Sequence, residues 1–536
     1  MARTALIDCS LRDGHQSLLA TRMSCEQSLR VLPLIRDSGY SILELWGGAV
    51  LDSSLRFTGD DPFERLEKLR ACLDEASRPI QLRSLCRGQN LFGYTPYPDN
   101  VVCAFLKEAI CIGTPGRFNP ATAPEVFSRD QLAAHTHRMR IFDALNDERN
   151  LITAIMATKT FNGHAEAALS YTVSPVHNNE HFLNFARKTI EAGADSLAIK
   201  DMAGLLHPAD AWTLIEALKD EFPGVELTLH SHCTNGLATA TYIVGMIAGV
   251  DYLDTCYGPM AHGTAQPPAE LIGYFADELG IQTNVDFGSA PEIDAKLREI
   301  RIELKDVDKD PEHPGRPWPA KPTPAMVGLI KRVIDLLKQR DKESCDQAID
   351  LIEDGIMVPQ GYPKIDKSQL ESQIPGGMIS NLHNQLKEQG KLELLPDILD
   401  EVPRVRKAAG YLPLVTPTSQ IIGTQAAFNV IQGKPYSIVS QQFRDVMMGN
   451  YGRLPGPVDP EVLSAVSSGQ DAFHGRPADR VPDADLAAVF RECGDLVKSH
   501  RDLLLVLLFA APAKKFLESR REQPAELVPG PDGAEI

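Results

Sequence analysis

His230 and His232 stand two residues apart at the end of a run, Glu226 to His230, that alternates as a strand does. Both imidazoles therefore point to one face and can share a metal ion. An HxH pair at a strand end serves hydrogen-bonded structure as readily as a metal, so a third donor has to decide. Asp13 supplies it if the chain closes into a barrel, because it follows the first predicted strand and would reach the same rim as the seventh. Lys200 ends the sixth predicted strand in SLAIKDMAGL. As an ammonium, with a reference pKa of about 10.4, it would repel a dication. It can instead pair with Asp201, form a Schiff base, or take up carbon dioxide as a carbamate whose oxygen is an anionic ligand, and residue chemistry leaves these open. Arg12, Gln16 and Arg87 (in CRGQN) are fixed donors that can hold a small carboxylate and stabilise an enolate oxygen, or simply brace the rim. Tyr94 and Asp52 can form a further hydrogen-bonded pair near the same opening, although a structural tyrosine fits equally. Thr416 in LVTPTSQ reads as a helix cap.

Positioning these groups takes a repeated framework. Eight short β-branched or apolar runs alternate with segments of helical period: Thr4 to Asp8, Ser41 to Trp46, Ile80 to Leu85, Arg140 to Asp143, Ala167 to Val173, Ser196 to Lys200, Glu226 to His230 and Asp251 to Thr255. Candidate helices between them include Asp61 to Ala76, His181 to Ala192, Ala209 to Glu221 and Leu237 to Ala248. Eight βα units in about 250 residues predict an α/β fold of the TIM (β/α)8 barrel type, which places its chemistry where strands end. The polar strings SLRDGHQS, CRGQN, FDALND, Lys200 with Asp201, and HSHCTNG all follow predicted strands.

Residues 1–290 are thus expected to form the barrel. Six prolines in residues 311–324 (PEHPGRPWPAKPTP) argue for an extended linker, and amphipathic segments follow at Met326 to Leu337 and Cys345 to Ile352. Helical periodicity then runs to about Leu517, so residues 291–520 are expected to be a mainly α-helical domain and 521–536 a disordered tail. The 536 residues are 43% hydrophobic and 24% charged, enough for a large core. A net charge of −18 without a basic tract argues against nucleic acid and anionic membrane as partners. Ten scattered cysteines lacking a CxxC pair suit a reduced, cytoplasmic chain, and the N-terminus lacks the pattern of a secretion signal. The apolar run LLLVLLFAAPA from Leu503 is too short to span a bilayer and is expected to bury within the chain.

The strings SLRDGHQSLLATRM, LELWGGAVLDSSLRF, CRGQNLFGYTPYPDNVV, RIFDALNDERN, ADSLAIKDMAGLL, HSHCTNGLA, SQIPGGM and EVPRVRKAAGYLPLVTPTSQIIGTQAAFNV resemble, in order and over most of the chain, the biotin-dependent carboxyltransferases acting on pyruvate and oxaloacetate. The family includes the carboxyltransferase domain of pyruvate carboxylase, the alpha subunit of oxaloacetate decarboxylase and the keto-acid subunit of transcarboxylase. The resemblance implies a helical funnel-like domain over the barrel mouth and a divalent metal, commonly zinc, cobalt or manganese. Its ligands would be Asp13, Lys200 as the carbamate, His230 and His232. Gln16 and Arg87 would bind the keto acid, Tyr94 and Asp52 would line the pocket, and Thr416 would shuttle a proton between the biotin ureido nitrogen and the keto-acid methyl carbon.

Departures from the pattern shape the remaining expectations. No AMKM-type attachment string occurs, so biotin is expected on a separate carrier protein, with a biotin carboxylase or second carboxyltransferase subunit as further partners and a homodimer as the family's assembly. Apparent insertions fall at Thr114 to His137, on the face away from catalysis, and near 303–352, where they can reposition the funnel domain. Cys233, where many relatives have Asp, and His262, where Gly is common, lie near the active-site end and can alter substrate preference. The competing readings are a metal-dependent lyase or acyl-condensing enzyme sharing the LRDG string and the HxH pair, and a non-catalytic assembly subunit.

Overall fold

Eight strands form a closed parallel barrel in chain order: β1 (Ala5–Asp8), β2 (Ile42–Gly47), β3 (Gln81–Cys86), β4 (Arg138–Phe142), β5 (His164–Ser170), β6 (Ser196–Asp201), β7 (Glu226–Ser231) and β8 (Tyr252–Thr255). Closure is made by β1 against β8, in register from Ala5 with Tyr252 to Asp8 with Thr255. The computed structural model describes residues 3–93, 95–114, 137–366, 376–415, 417–467 and 469–522. Tyr94, Thr416, nearly all of the 114–137 insertion and residues 523–536 of the expected tail lie outside the described residues.

Each strand begins within three residues of its expected position, and β5 is the most displaced. It runs from His164 to Ser170, whereas the β-branched text suggests Ala167 to Val173. Pairing decides this: β5 must match β4 on one side and β6 on the other, and its small alanines fit between them, which leaves Tyr171 to Val173 to open the following loop. The helices follow their local signals. Asp61 caps the helix Pro62–Asp74 by accepting from the amides of Phe63 and Glu64, with Pro62 at the first turn. Ser24 and Gln27 form a reciprocal capping box at the start of the helix Cys25–Asp37.

Beyond the barrel, the helices Pro324–Leu337 and Lys342–Ile352 pack against one another and against the outer helices Pro208–Glu221, Ala238–Ala248 and Ala269–Leu279. The proline-rich stretch is extended and anchored by Trp318, whose Nε1 donates to Tyr362 Oη, which in turn donates to the Gly258 carbonyl. A second apolar core, built on Met378, Leu382, Ile398, Val402, Val405, Ile422 and Phe443, unites the helices Gly376–Glu388, Leu395–Ala408, Thr418–Gln432 and Gln441–Met447. It docks on the β4 and β5 loops: Arg406 Nη2 donates to Thr172 Oγ1 at 2.9 Å, and Asn150 Nδ2 to the Tyr451 carbonyl at 2.8 Å.

The last helix, His500–Glu522, crosses back to the barrel. Leu503, Leu504, Leu505, Leu508, Phe516 and Leu517 join the barrel's own apolar core, as expected for the run at Leu503. Tyr97 Oη donates to the Leu508 carbonyl at 2.7 Å, and Phe92 stacks on Phe509. Among the described residues no helix is long and apolar enough to cross a membrane. All ten cysteines are free.

Candidate functional site

The loop after β1 winds into one wide helical turn, Ser10–Gly14, which points Asp13 back over the barrel mouth. β7 ends at Ser231, so His230 and His232 leave the sheet on one side, toward Asp13. His230 Nε2 and His232 Nε2 are 3.1 Å apart, and Asp13 Oδ2 is 3.4 Å from each. The other nitrogen of each ring is committed elsewhere. His232 Nδ1 donates to the Thr264 carbonyl at 2.6 Å, and His230 Nδ1 lies 2.8 Å from Asp254 Oδ2. A carbonyl or carboxylate oxygen only accepts, so both protons sit on Nδ1 and both Nε2 lone pairs face inward.

Two imidazole lone pairs and a carboxylate oxygen, all within 4.8 Å of one another, suit a divalent cation that takes mixed nitrogen and oxygen ligands. Lys200 Nζ lies 3.2 Å from His230 Nε2. Burial lowers the Lys200 ammonium to about 8, against the pull of Asp13. Burial alone would raise Asp13, but Arg12 and then His232 outweigh it and hold the carboxyl well below its ordinary range. Burial also pushes the His230 ring well below its usual value, keeping it neutral, as a ligand must be.

A cavity of about 450 Å³ opens above this cluster. Arg12, Asp13, Lys200 and His232 are among its walls, together with Gln16 and Arg87, so six of the residues singled out from sequence converge on one space. His230 is fully buried behind them. Arg87 Nη1 is braced by the carbonyls of Phe92 and Gly93 at 3.2 and 3.1 Å. Arg12 is engaged on every side: Nε and Nη2 bind Glu44, and Nη1 reaches Asp13 Oδ1 at 2.9 Å and Gln16 Oε1 at 3.3 Å. It therefore orients Asp13 as well as lining the cavity. Met378, Leu414 and Val415 of the second domain contribute an apolar roof.

Asp52 is not brought to this wall. Its half-exposed carboxylate pairs with Arg56 one helical turn on, at 2.6 Å. Cys233 and His262 do not line the cavity either: Cys233 is buried, and the His262 ring packs on Tyr362 near Glu353, both from the stretch that follows the added segment. Residue pattern alone does not single out Gln266, whose Nε2 donates to Asp13 Oδ2 at 2.8 Å and lies 3.2 Å from His232 Nε2. A signal for it exists all the same, since it belongs to the polar string that follows the last strand. Gly204, after β6, turns with φ of +66°, and a Cβ there would lie 2.4 Å from the His232 carbonyl oxygen. Only glycine lets that turn close on the backbone of His232.

Residues 370–532 match the family model for a conserved carboxylase domain, and residues 134–296 match the HMGL-like model. A pyruvate carboxylase subunit from Methanocaldococcus jannaschii is 36% identical, over 98% of this chain and 79% of its own length. The methylmalonyl-CoA carboxyltransferase 5S subunit of Propionibacterium freudenreichii subsp. shermanii is also 36% identical, over 96% of this chain and 87% of its own. The 2-oxoglutarate carboxylase large subunit of Hydrogenobacter thermophilus is 31% identical, over 98% and 70%. Among solved structures, the carboxyl transferase domain of Rhizobium etli pyruvate carboxylase with pyruvate superposes with a TM-score of 0.73 at 25% identity, covering 97% of this chain and 78% of that one.

Proposed function

The chain belongs to the family of biotin-dependent carboxyltransferases that act on keto acids, and from that membership we propose that it moves a carboxyl group between a biotinylated carrier protein and pyruvate, or from oxaloacetate in reverse. The observation that carries this reading is the convergence of Asp13, His230, His232 and Lys200 beneath a cavity that Arg87 and Gln16 also line.

In this reading, a divalent ion held by Asp13, Lys200 as its carbamate, His230 and His232 would supply Lewis-acid polarisation of the keto oxygen. Arg87 and Gln16 hold the keto acid's carboxylate and keto oxygen, and the fixed guanidinium offsets negative charge as the enolate develops. The apolar roof of Met378, Leu414 and Val415 excludes water while the carboxyl group is in transit. Thr416 carries a proton between the ureido nitrogen of biotin and the methyl carbon. Biotin arrives on another polypeptide, with a biotin carboxylase or second carboxyltransferase subunit completing the system. The chain works in the cytoplasm as a homodimer, a state that a purely monomeric species at micromolar concentration in sedimentation would exclude.

The test is pyruvate release from oxaloacetate by the purified, metal-loaded chain, with and without free biotin. Biotin-stimulated release that disappears in Thr416→Ala supports the half-reaction. Release indifferent to biotin, with metal bound, turns the assignment toward a lyase of the wider barrel superfamily.

A further inference from the structure

Five fully buried charged side chains, each from a different strand, form one network: Glu44 on β2, Arg83 on β3, Arg140 on β4, Glu166 on β5 and Asp254 on β8. They interlock inside the barrel. Arg83 Nε donates to Glu44 Oε2 at 2.7 Å and its Nη2 to Asp254 Oδ1 at 2.7 Å. Arg140 Nη1 binds Asp254 Oδ2, and its Nη2 binds Glu166 Oε1 at 2.9 Å. Cys9, Glu44 and Asp254 bring ligand atoms within 4.8 Å of one another, but the two guanidiniums already satisfy those carboxylates, so this is an ion-pair network and not a second metal centre.

Such a layer is poorly explained by stability. Barrel interiors are ordinarily filled by branched apolar residues, and well-packed apolar groups commonly stabilise a core as well as buried ion pairs do. Its connections suggest another role. Asp254, with both oxygens engaged by arginines, also meets His230 Nδ1 at 2.8 Å. Glu44 holds Arg12, whose Nη1 holds Asp13 Oδ1. Asp13 and His230, which come from opposite ends of the barrel's sequence, are therefore hung on one rigid frame, whereas His232 hangs separately on the Thr264 carbonyl.

We propose that this ionic frame is the positioning element of the metal centre and that Asp254 is its pivotal residue, fixing the His230 ring with Nε2 bare and aimed at the metal position. The inference rests on the reading of Asp13, His230 and His232 as metal ligands. A carboxylate accepts only and so dictates one tautomer of His230. An amide in its place can present its own N–H to Nδ1, moving the ring proton to Nε2 and blocking the lone pair.

The experiment strips the purified chain of metal, titrates it with Zn²⁺ against a chromophoric chelator, and records the visible spectrum of the Co²⁺-loaded form. The parent chain should bind one equivalent. Asp254→Asn, folded by circular dichroism, should bind Zn²⁺ about 10–100-fold more weakly and shift the Co²⁺ bands. Glu226→Gln, which alters the separate Arg138–Glu226 pair, should change neither. Should Asp254→Asn not fold, Arg12→Lys takes its place, because lysine cannot span Glu44 and Asp13 as the planar fork does. A folded variant that binds Zn²⁺ within about threefold of the parent, well short of the usual outer-shell effect, with an unchanged Co²⁺ spectrum, overturns the proposal. A parent chain that binds no Zn²⁺ overturns the metal reading beneath it.

Discussion

Lys200 Nζ points at the bare lone pair of His230 Nε2 from 3.2 Å, with both side chains buried. A cation there opposes a bound dication, and carbon dioxide adds only to a neutral amine. Burial brings that neutral form within reach by lowering the ammonium to about 8. Intact-mass measurement in bicarbonate should show one carbon dioxide adduct, lost in Lys200→Ala together with metal and turnover. Adduct formation should rise as pH climbs through 8 and level off above it, whereas an ordinary lysine, near 10.4, would still be climbing. A Lys200→Ala chain that keeps its metal and its rate would remove the residue from the centre.

Arg87 is held by two backbone carbonyls, so its orientation is set before substrate arrives. Arg87→Lys keeps the charge and loses the fork. The expected result in steady-state kinetics is a rise of about 10–100-fold in KM for the keto acid, the size of a lost charge-assisted hydrogen bond. An unchanged KM would place the carboxylate elsewhere in the cavity.

Gly204→Ala tests how closely the β6 turn supports His232. A left-handed alanine costs about 1–2 kcal/mol by itself, and its methyl group would meet the His232 carbonyl oxygen. The variant should lose both thermal stability and bound metal. Full metal content at a lowered Tm would show that the turn supports the fold and not the ligand.

His137 couples the barrel to acid. Its Nδ1 donates to the Ala109 carbonyl at 2.8 Å, its Nε2 meets Ser84 Oγ at 2.7 Å, and burial pushes the ring down to about 4. The unfolded chain takes up this proton near pH 6.5 and the folded chain does not, so the stabilisation is complete above 6.5 and is lost as pH falls toward 4. Urea melts between pH 7 and 4.5 should show a shallower acid slope in His137→Gln, by up to about 1.4 kcal/mol per pH unit for one proton. An identical slope would exonerate the residue.

The βα rhythm makes the barrel legible, because each strand and helix carries its own period and caps, and the rule that chemistry gathers at strand ends singles out Asp13, Lys200, His230 and His232. What escaped the sequence depended on closure. Glu44, Arg83 and Asp254 read as isolated charges within apolar strands, and only the ring brings them together. Gln266 belongs to the site because the loop after β8 folds back onto Asp13, a contact that local text does not encode. Asp52 has the right chemistry for a pocket, yet a neighbouring arginine one turn away takes its charge.

Tyr97 and Leu508 are joined across 411 residues of chain, and the leucines around that bond complete the same core that the strands begin. The barrel and the helices above it are thus not separable modules. A gene cut at the proline-rich stretch would yield a barrel with an open apolar trench along the helix Asp99–Gly113, prone to aggregate. The two halves therefore have to be inherited together.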